Sequence, residues 1–164
     1  MSNAQSLVVL VFLNKAHKYQ LVNTKLTQLL DPNVAWIANA ANFCSLMFEH
    51  FPFFWIGFYY KTDENYLQLG PFQGPTACTK IAKGKGVCGH VWQKGETLIV
   101  PDVHQFPGHI ACNENSKSEI VLPIFHNKNF WGVLDVDSQQ LDNFSHKDLM
   151  GLREALDIFE EKAL

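Results

Sequence analysis

Two pairs of strand-like segments in this chain are joined by links too short to cross over a sheet, and this limits the folds open to it. Residues 53–60 are aromatic and β-branched, residues 61–65 form a polar turn, and residues 66–71 return with Leu67 and Leu69 alternating against Tyr66, Gln68 and Gly70. Residues 118–126 and 129–137 flank an Asn127-Lys128 turn in the same manner. Parallel neighbours need a long crossover, usually a helix, so these pairs predict antiparallel neighbours. Further strands are expected near residues 78–82 and 97–100. Helices are expected over residues 24–30, 34–50 and 87–93 and at the C-terminal end. The order lacks the strand–helix alternation of a doubly wound fold and predicts an α+β domain, a largely antiparallel sheet with helices packed on it.

The helix over 34–50 is expected to bury Val34, Ile37, Ala41, Cys44 and Phe48 as one stripe. Cys44 therefore reads as core. The last helix carries a complete start signal: Ser145 as N-cap, Asp148 three residues on, and a Phe144–Leu149 staple. Its buried stripe is Leu149, Leu152, Leu156 and Phe159.

With 164 residues and 47% hydrophobic content, the chain can build a core without disulfide staples. The net charge is −3 and Arg153 is the only arginine, which argues against a phosphate-backbone partner and hence against nucleic acid. The unbroken apolar run 7–13 is too short to span a membrane and lacks the basic flank of a signal peptide. It reads as a short strand or a buried lead-in, and Ser2-Asn3-Ala4 resembles a tag-cleavage remnant. Without a targeting or spanning segment the expected compartment is the cytoplasm, where thiols stay reduced.

Cys78, Cys88 and Cys112 sit in turn-rich, polar settings, unlike a cysteine kept for packing. Such a thiol is a candidate thiolate, metal ligand or half of a labile disulfide. A Cys3His zinc site with His109 or His90 is disfavoured, because structural zinc sites use closely spaced cysteine pairs and here only His109 and Cys112 are close. No metal is expected. Dithiol chemistry needs only that two thiols approach in space. His109 and Lys117 stand near Cys112 as groups that would lower its pKa, or as solvated loop residues. Residues 101–115 form a long irregular stretch, a length that usually marks function or mobility.

Asp135 and Asp137 end an apolar strand two residues apart, so alternation points both to one face. Neighbouring like charges raise one carboxyl pKa and prepare a proton donor; the alternative is a pair of strand-end turn caps. Glu119 opens the facing strand. Trp55 lies in the central aromatic strand and, alone, reads as core.

Taken together, the blocks Trp55-Ile-Gly-Phe-Tyr59, Leu69-Gly-Pro-Phe-Gln-Gly74, Gly86-Val-Cys88-Gly, Asp102-Val-His104, Gly108-His-Ile-Ala-Cys112, Ser118-Glu-Ile-Val-Leu-Pro123 and Gly132-Val-Leu-Asp-Val-Asp-Ser138 occur in order. This pattern resembles the free methionine-(R)-sulfoxide reductases of the GAF-domain family over roughly residues 34–159. The resemblance implies a GAF-like six-stranded antiparallel sheet flanked by helices, with residues 1–20 a lead-in and 21–164 a single GAF domain. It implies reduction of free methionine-(R)-sulfoxide, with Cys112 as nucleophile, Cys78 as resolving thiol and Cys88 as a second resolving or assisting thiol. It implies substrate binding by Trp55, Tyr59, Glu119, Asp135 and Asp137, with Glu119 and Asp137 near the sulfoxide and Asp135 supporting. No bound cofactor is expected; thioredoxin is the implied external reductant, and a homodimer the implied assembly. The competing reading is a non-enzymatic GAF sensor of a small ligand or of redox state.

Overall fold

The computed structural model describes residues 14–108 and 113–164. The apolar run 7–13 and the segment His109, Ile110, Ala111 and Cys112 lie outside the described residues. The chain runs α1 (Lys15–Leu29), α2 (Trp36–His50), β1 (Trp55–Lys61), β2 (Tyr66–Gln73), β3 (Lys80–Ala82), α3 (Gly86–Lys94), β4 (Leu98–Val100), β5 (Ser118–His126), β6 (Asn129–Ser138) and α4 (His146–Ala163). The strands form one six-stranded sheet in the order β3-β2-β1-β6-β5-β4, and every adjacent pair is antiparallel. The expected GAF-like α+β architecture is the observed one. Asn127 and Lys128 both adopt positive φ in the β5–β6 turn, as a tight hairpin requires.

Strict alternation gives the sheet two different faces. Ile56 and Phe58 of β1, Leu134 and Val136 of β6, and Ile120, Leu122 and Ile124 of β5 pack under α1, α2 and α4 in a large core. The opposite face carries Trp55, Tyr59, Val133 and Val121 against α3, whose Val87, Cys88, Val91 and Trp92 cover it. Leu152, Leu156 and Phe159 of α4 are completely buried, each contributing roughly 1.5–3 kcal/mol relative to exposure.

The start of α4 is fixed as its sequence predicts. The Ser145 backbone N–H donates to Asp148 Oδ2 at 2.8 Å, and its hydroxyl donates to the same oxygen at 3.0 Å. Asp148 also accepts from Lys15 Nζ at 2.8 Å and from the Tyr19 hydroxyl at 3.1 Å, so one buried carboxylate ties α1 to α4.

Two helical expectations need correction. First, α1 is 15 residues long and starts well before residue 24, capped by the Asn14 side chain, which accepts from the His17 N–H at 3.0 Å. Its buried face is Tyr19, Val22, Asn23 and Leu26, a narrow stripe concealed by an otherwise polar sequence. It begins inside the stretch 1–20 that the sequence reading set apart as a lead-in. Second, α2 buries Asn39, Ala40, Phe43, Cys44, Met47 and His50, while Val34, Ile37, Ala41 and Phe48 are exposed. Small or apolar residues occupy almost every turn of this helix, so periodicity alone selects no face. The large side chains decide it: Phe43 meets Phe58 and Phe159 edge-on, with centroids at 5.2 and 6.0 Å. Only Cys44 of the expected stripe is in the core. Among the described residues, no helix is long and apolar enough to cross a membrane.

Candidate active site

The α3-facing side of the sheet becomes acidic where β1, β6 and β5 meet. Register sets the arrangement: Trp55 pairs with Asp137, Gly57 with Asp135, and Tyr59 with Val133. On the other side of β6, Glu119 pairs with Asp137, and Val121 with Asp135. Alternation then turns Trp55, Tyr59, Glu119, Asp135 and Asp137 into one cavity, closed from above by Lys85, Gly86, Val87 and Cys88 and from the side by Thr76, Ala77, Asn113 and Ser116. Its volume is about 50 Å³. That is several times the ~10–15 Å³ one water occupies on the same measure.

The aromatic wall depends on a glycine. A Cβ on Gly57 would lie 2.3 Å from the Trp55 ring and 2.5 Å from Phe72 Cβ, so only glycine lets the indole fold over the strand. The ring makes stacked contacts with Tyr59 and with Phe72, with centroids at 5.9 and 5.4 Å. Its Nε1–H donates to the Pro75 carbonyl at 3.0 Å, and the Tyr59 hydroxyl donates to the Cys78 carbonyl at 2.9 Å. Both aromatic residues therefore hold the 74–79 loop against the cavity as well as lining it.

Cys88 reaches the cavity from the first turn of α3. Gly89 allows this: a Cβ there would lie 2.4 Å from the Ala82 carbonyl oxygen, so any larger residue would lift the helix start off β3. Contrary to the polar setting its sequence suggests, Cys88 is buried, with its sulfur 4.0 Å from Glu119 Oε1. Cys44 and Cys88 are the free cysteines among the described residues, whereas Cys78 is held in a disulfide.

Three carboxyl groups share this space with little solvent. Glu119 is held well above its ordinary range by burial first and then by the charges of Asp135 and Asp137. Asp135 is raised by burial and by Asp137. Its Oδ1 is enclosed and has no hydrogen-bond partner among the described residues. Asp137 is raised by burial to about 6, and a short hydrogen bond from the Ser116 hydroxyl opposes the rise by favouring the anion. Burial, followed by the Asp135 and Glu119 charges, pushes the Cys88 thiol up, so the free cavity disfavours its thiolate. Tyr59 is raised by burial and by the same acids.

The structure thus brings together Trp55, Tyr59, Cys88, Glu119, Asp135 and Asp137, with the Cys78 carbonyl bound to the Tyr59 hydroxyl. Cys112 and His109 lie outside the described residues. Sequence reasoning missed Ser116. It sits in a run of turn-forming polar residues, and only the tertiary contact with Asp137 distinguishes it.

This cavity lies within a sheet shared with known proteins. The GAF domain family matches residues 25–160. GAF domain-containing protein A of Dictyostelium discoideum is 50% identical over 147 residues, covering 90% of this chain and 93% of the relative. Free methionine-R-sulfoxide reductase of Saccharomyces cerevisiae is 42% identical over 144 residues, covering 83% of this chain and 80% of the relative. The solved free methionine-R-sulfoxide reductase of Neisseria meningitidis, in complex with its substrate, superposes with a TM-score of 0.87 at 42% identity, covering 92% of this chain and 91% of that one. The chain belongs to the GAF-domain family, in the group that includes the free methionine-R-sulfoxide reductases.

Proposed function

We propose that this protein reduces free L-methionine-(R)-sulfoxide to methionine by thiol chemistry. The observation that carries the reading is the cavity in which Glu119, Asp135 and Asp137 converge beside the Trp55 indole and the Cys88 thiol. Relatives named for this activity support it.

A sulfoxide oxygen leaves only when protonated. Glu119 retains its proton through burial and neighbouring charge and supplies it, with Asp135 sharing the proton. Asp137, lower and bonded to Ser116, is the anion at neutral pH and faces the substrate ammonium. This division departs from the expectation that accompanied the resemblance, which put Glu119 and Asp137 near the sulfoxide with Asp135 supporting. The Trp55 ring offers a π-face to the S-methyl group as the sulfur gains positive character.

The Cys112 thiolate attacks the sulfur of the protonated sulfoxide; the substrate S–O bond breaks as its hydroxyl passes to the Cys112 sulfur, the substrate sulfur takes the electron pair and leaves as methionine, and Cys112 becomes a sulfenic acid. The Cys78 thiol condenses with it, forming a disulfide and releasing water. Thioredoxin reduces that disulfide by thiol exchange and regenerates both thiols. That Cys78 is disulfide-bonded, and its loop tied to the cavity by Trp55 and Tyr59, supports this role. Cys88, whose thiolate the free cavity disfavours, assists or substitutes as a second resolving thiol. The assembly that accompanies this reading is a homodimer.

The test is NADPH oxidation in the presence of thioredoxin and its reductase, with the separate R and S epimers of the free sulfoxide. Turnover confined to the R epimer is expected. Tight binding of the sulfoxide without turnover would replace the enzyme reading with that of a sensor. Cys112→Ser should abolish the first turnover, whereas Cys78→Ser should release one methionine per protein and then fail to cycle efficiently unless Cys88 substitutes. Loss of the first turnover in Cys88→Ser alone would refute the assigned order.

A further inference from the structure

We propose that the reduced, substrate-free cavity binds a thiophilic divalent cation of the zinc type through Cys88, Glu119 and Asp135, and that this cation excludes the sulfoxide. One ligand atom from each of these residues lies within 4.8 Å of the others, and all three residues are buried. The set combines one thiolate sulfur with carboxylate oxygens, donors that zinc accepts together. Three protein ligands leave a fourth position open to water.

A cluster of acids alone would not point to a cation. Here a second feature does: Asp135 is 7% exposed, yet its Oδ1 has no hydrogen-bond partner among the described residues, and the groups that interact with its carboxyl are the other two members of the set, Glu119 and Cys88. A buried carboxylate oxygen without a donor is costly, and a cation removes that cost. The elements carrying the ligands are rigid. Glu119 and Asp135 stand on adjacent strands, two register positions apart and therefore on one face, and Cys88 is held by the close approach of Gly89 to β3. Small side-chain rotations close the set to bonding distance around one ion.

Binding releases the Cys88 proton and leaves both carboxylates as anions. Under the proposed reductase reading, the same event removes the proton donor and fills the substrate seat. Zinc would then inhibit by competing with the sulfoxide, and a chelator would restore activity.

The test is titration of the reduced full-length protein with Co²⁺ as a spectroscopic stand-in, then with Zn²⁺ against a chromogenic chelator, without substrate. One equivalent should bind, with a sulfur-to-cobalt charge-transfer band. Cys88→Ala should lose the band and weaken zinc binding by about 100-fold or more, beyond what losing an outer-sphere partner usually does. Glu119→Gln should keep the band and weaken binding. Cys78→Ser and Cys112→Ser should each bind as the parent does, which excludes those two thiols as the origin of the band. Thermal melts confirm that each variant folds. A band retained in Cys88→Ala, or no binding by the parent protein, overturns the proposal. Because the readout is optical and needs no turnover, it is decided independently of the reductase assay.

Discussion

Asp137→Asn should stabilise the fold while impairing turnover, and the stabilisation should depend on pH. Asp137 is half-buried, and desolvation raises its pKa to about 6, against 3.8 for the unperturbed group. Between those values the native state binds more protons than the unfolded chain, so stability falls as pH rises through this window. The loss is absent below about pH 4 and complete above about pH 6. Linkage for this one group gives a penalty of about 1 kcal/mol at pH 4.5 and about 3 kcal/mol at pH 7.5. Asparagine cannot ionise, and its carbonyl oxygen still accepts from Ser116, as the protonated acid does; the charge-assisted bond to the anion is already contained in the pKa of about 6. The variant should therefore be about 3 kcal/mol more stable than the parent at pH 7.5 and about 1 kcal/mol more stable at pH 4.5. Relief of the repulsion that Asp137 exerts on Asp135 and Glu119 acts in the same direction. Urea unfolding of both proteins at the two pH values, under reducing conditions, measures the difference directly. If the stability difference between variant and parent does not grow with pH, or if the variant is less stable at pH 7.5, the carboxylate is not destabilised by its burial and the electrostatic argument for the site fails.

Ser116→Ala removes the hydrogen bond that favours the Asp137 anion, so the Asp137 pKa should rise above about 6 and the acid limb of the pH–rate profile should move to higher pH. Gly57→Ala places a Cβ 2.3 Å from the Trp55 ring and should raise KM strongly while circular dichroism shows the fold retained. Cys44→Ala leaves a small void under α2 and should cost about 1 kcal/mol in denaturant unfolding, with reductase activity unchanged. Asp148→Ala deletes the α4 cap and leaves Tyr19 and Lys15 without their carboxylate; it should cost roughly 3 kcal/mol or more by the same measurement.

Strands and turns were legible because their chemistry is local. Leu67 and Leu69 alternate with polar neighbours, Asn127 and Lys128 tolerate the left-handed turn, and Ser145 with Asp148 closes a box within one helical turn. The helices were less legible where composition offered no contrast. In α2 nearly every position can be buried, so the face was settled by how Phe43 fits against Phe58 and Phe159. In α1 the apolar stripe was too narrow to stand out from a polar run, and the helix owes its place to docking on α4 through Asp148 and Asn23.

The sequence by itself determined the antiparallel hairpins and placed Asp135 and Asp137 on one face, because a strand's side chains alternate with a period of two. It also singled out the cysteines that carry the proposed chemistry. The tertiary structure decided what those residues become. Register across β1, β6 and β5 set Trp55 and Glu119 on either side of Asp137, a meeting of positions 55, 119 and 137 that no local pattern encodes. Packing of α3 over that face buried Cys88 among the acids, and the fold brought Ser116 to Asp137. A carboxyl pKa depends on the solvent and charges within a few ångströms, and those neighbours come together only when the sheet closes under its helix.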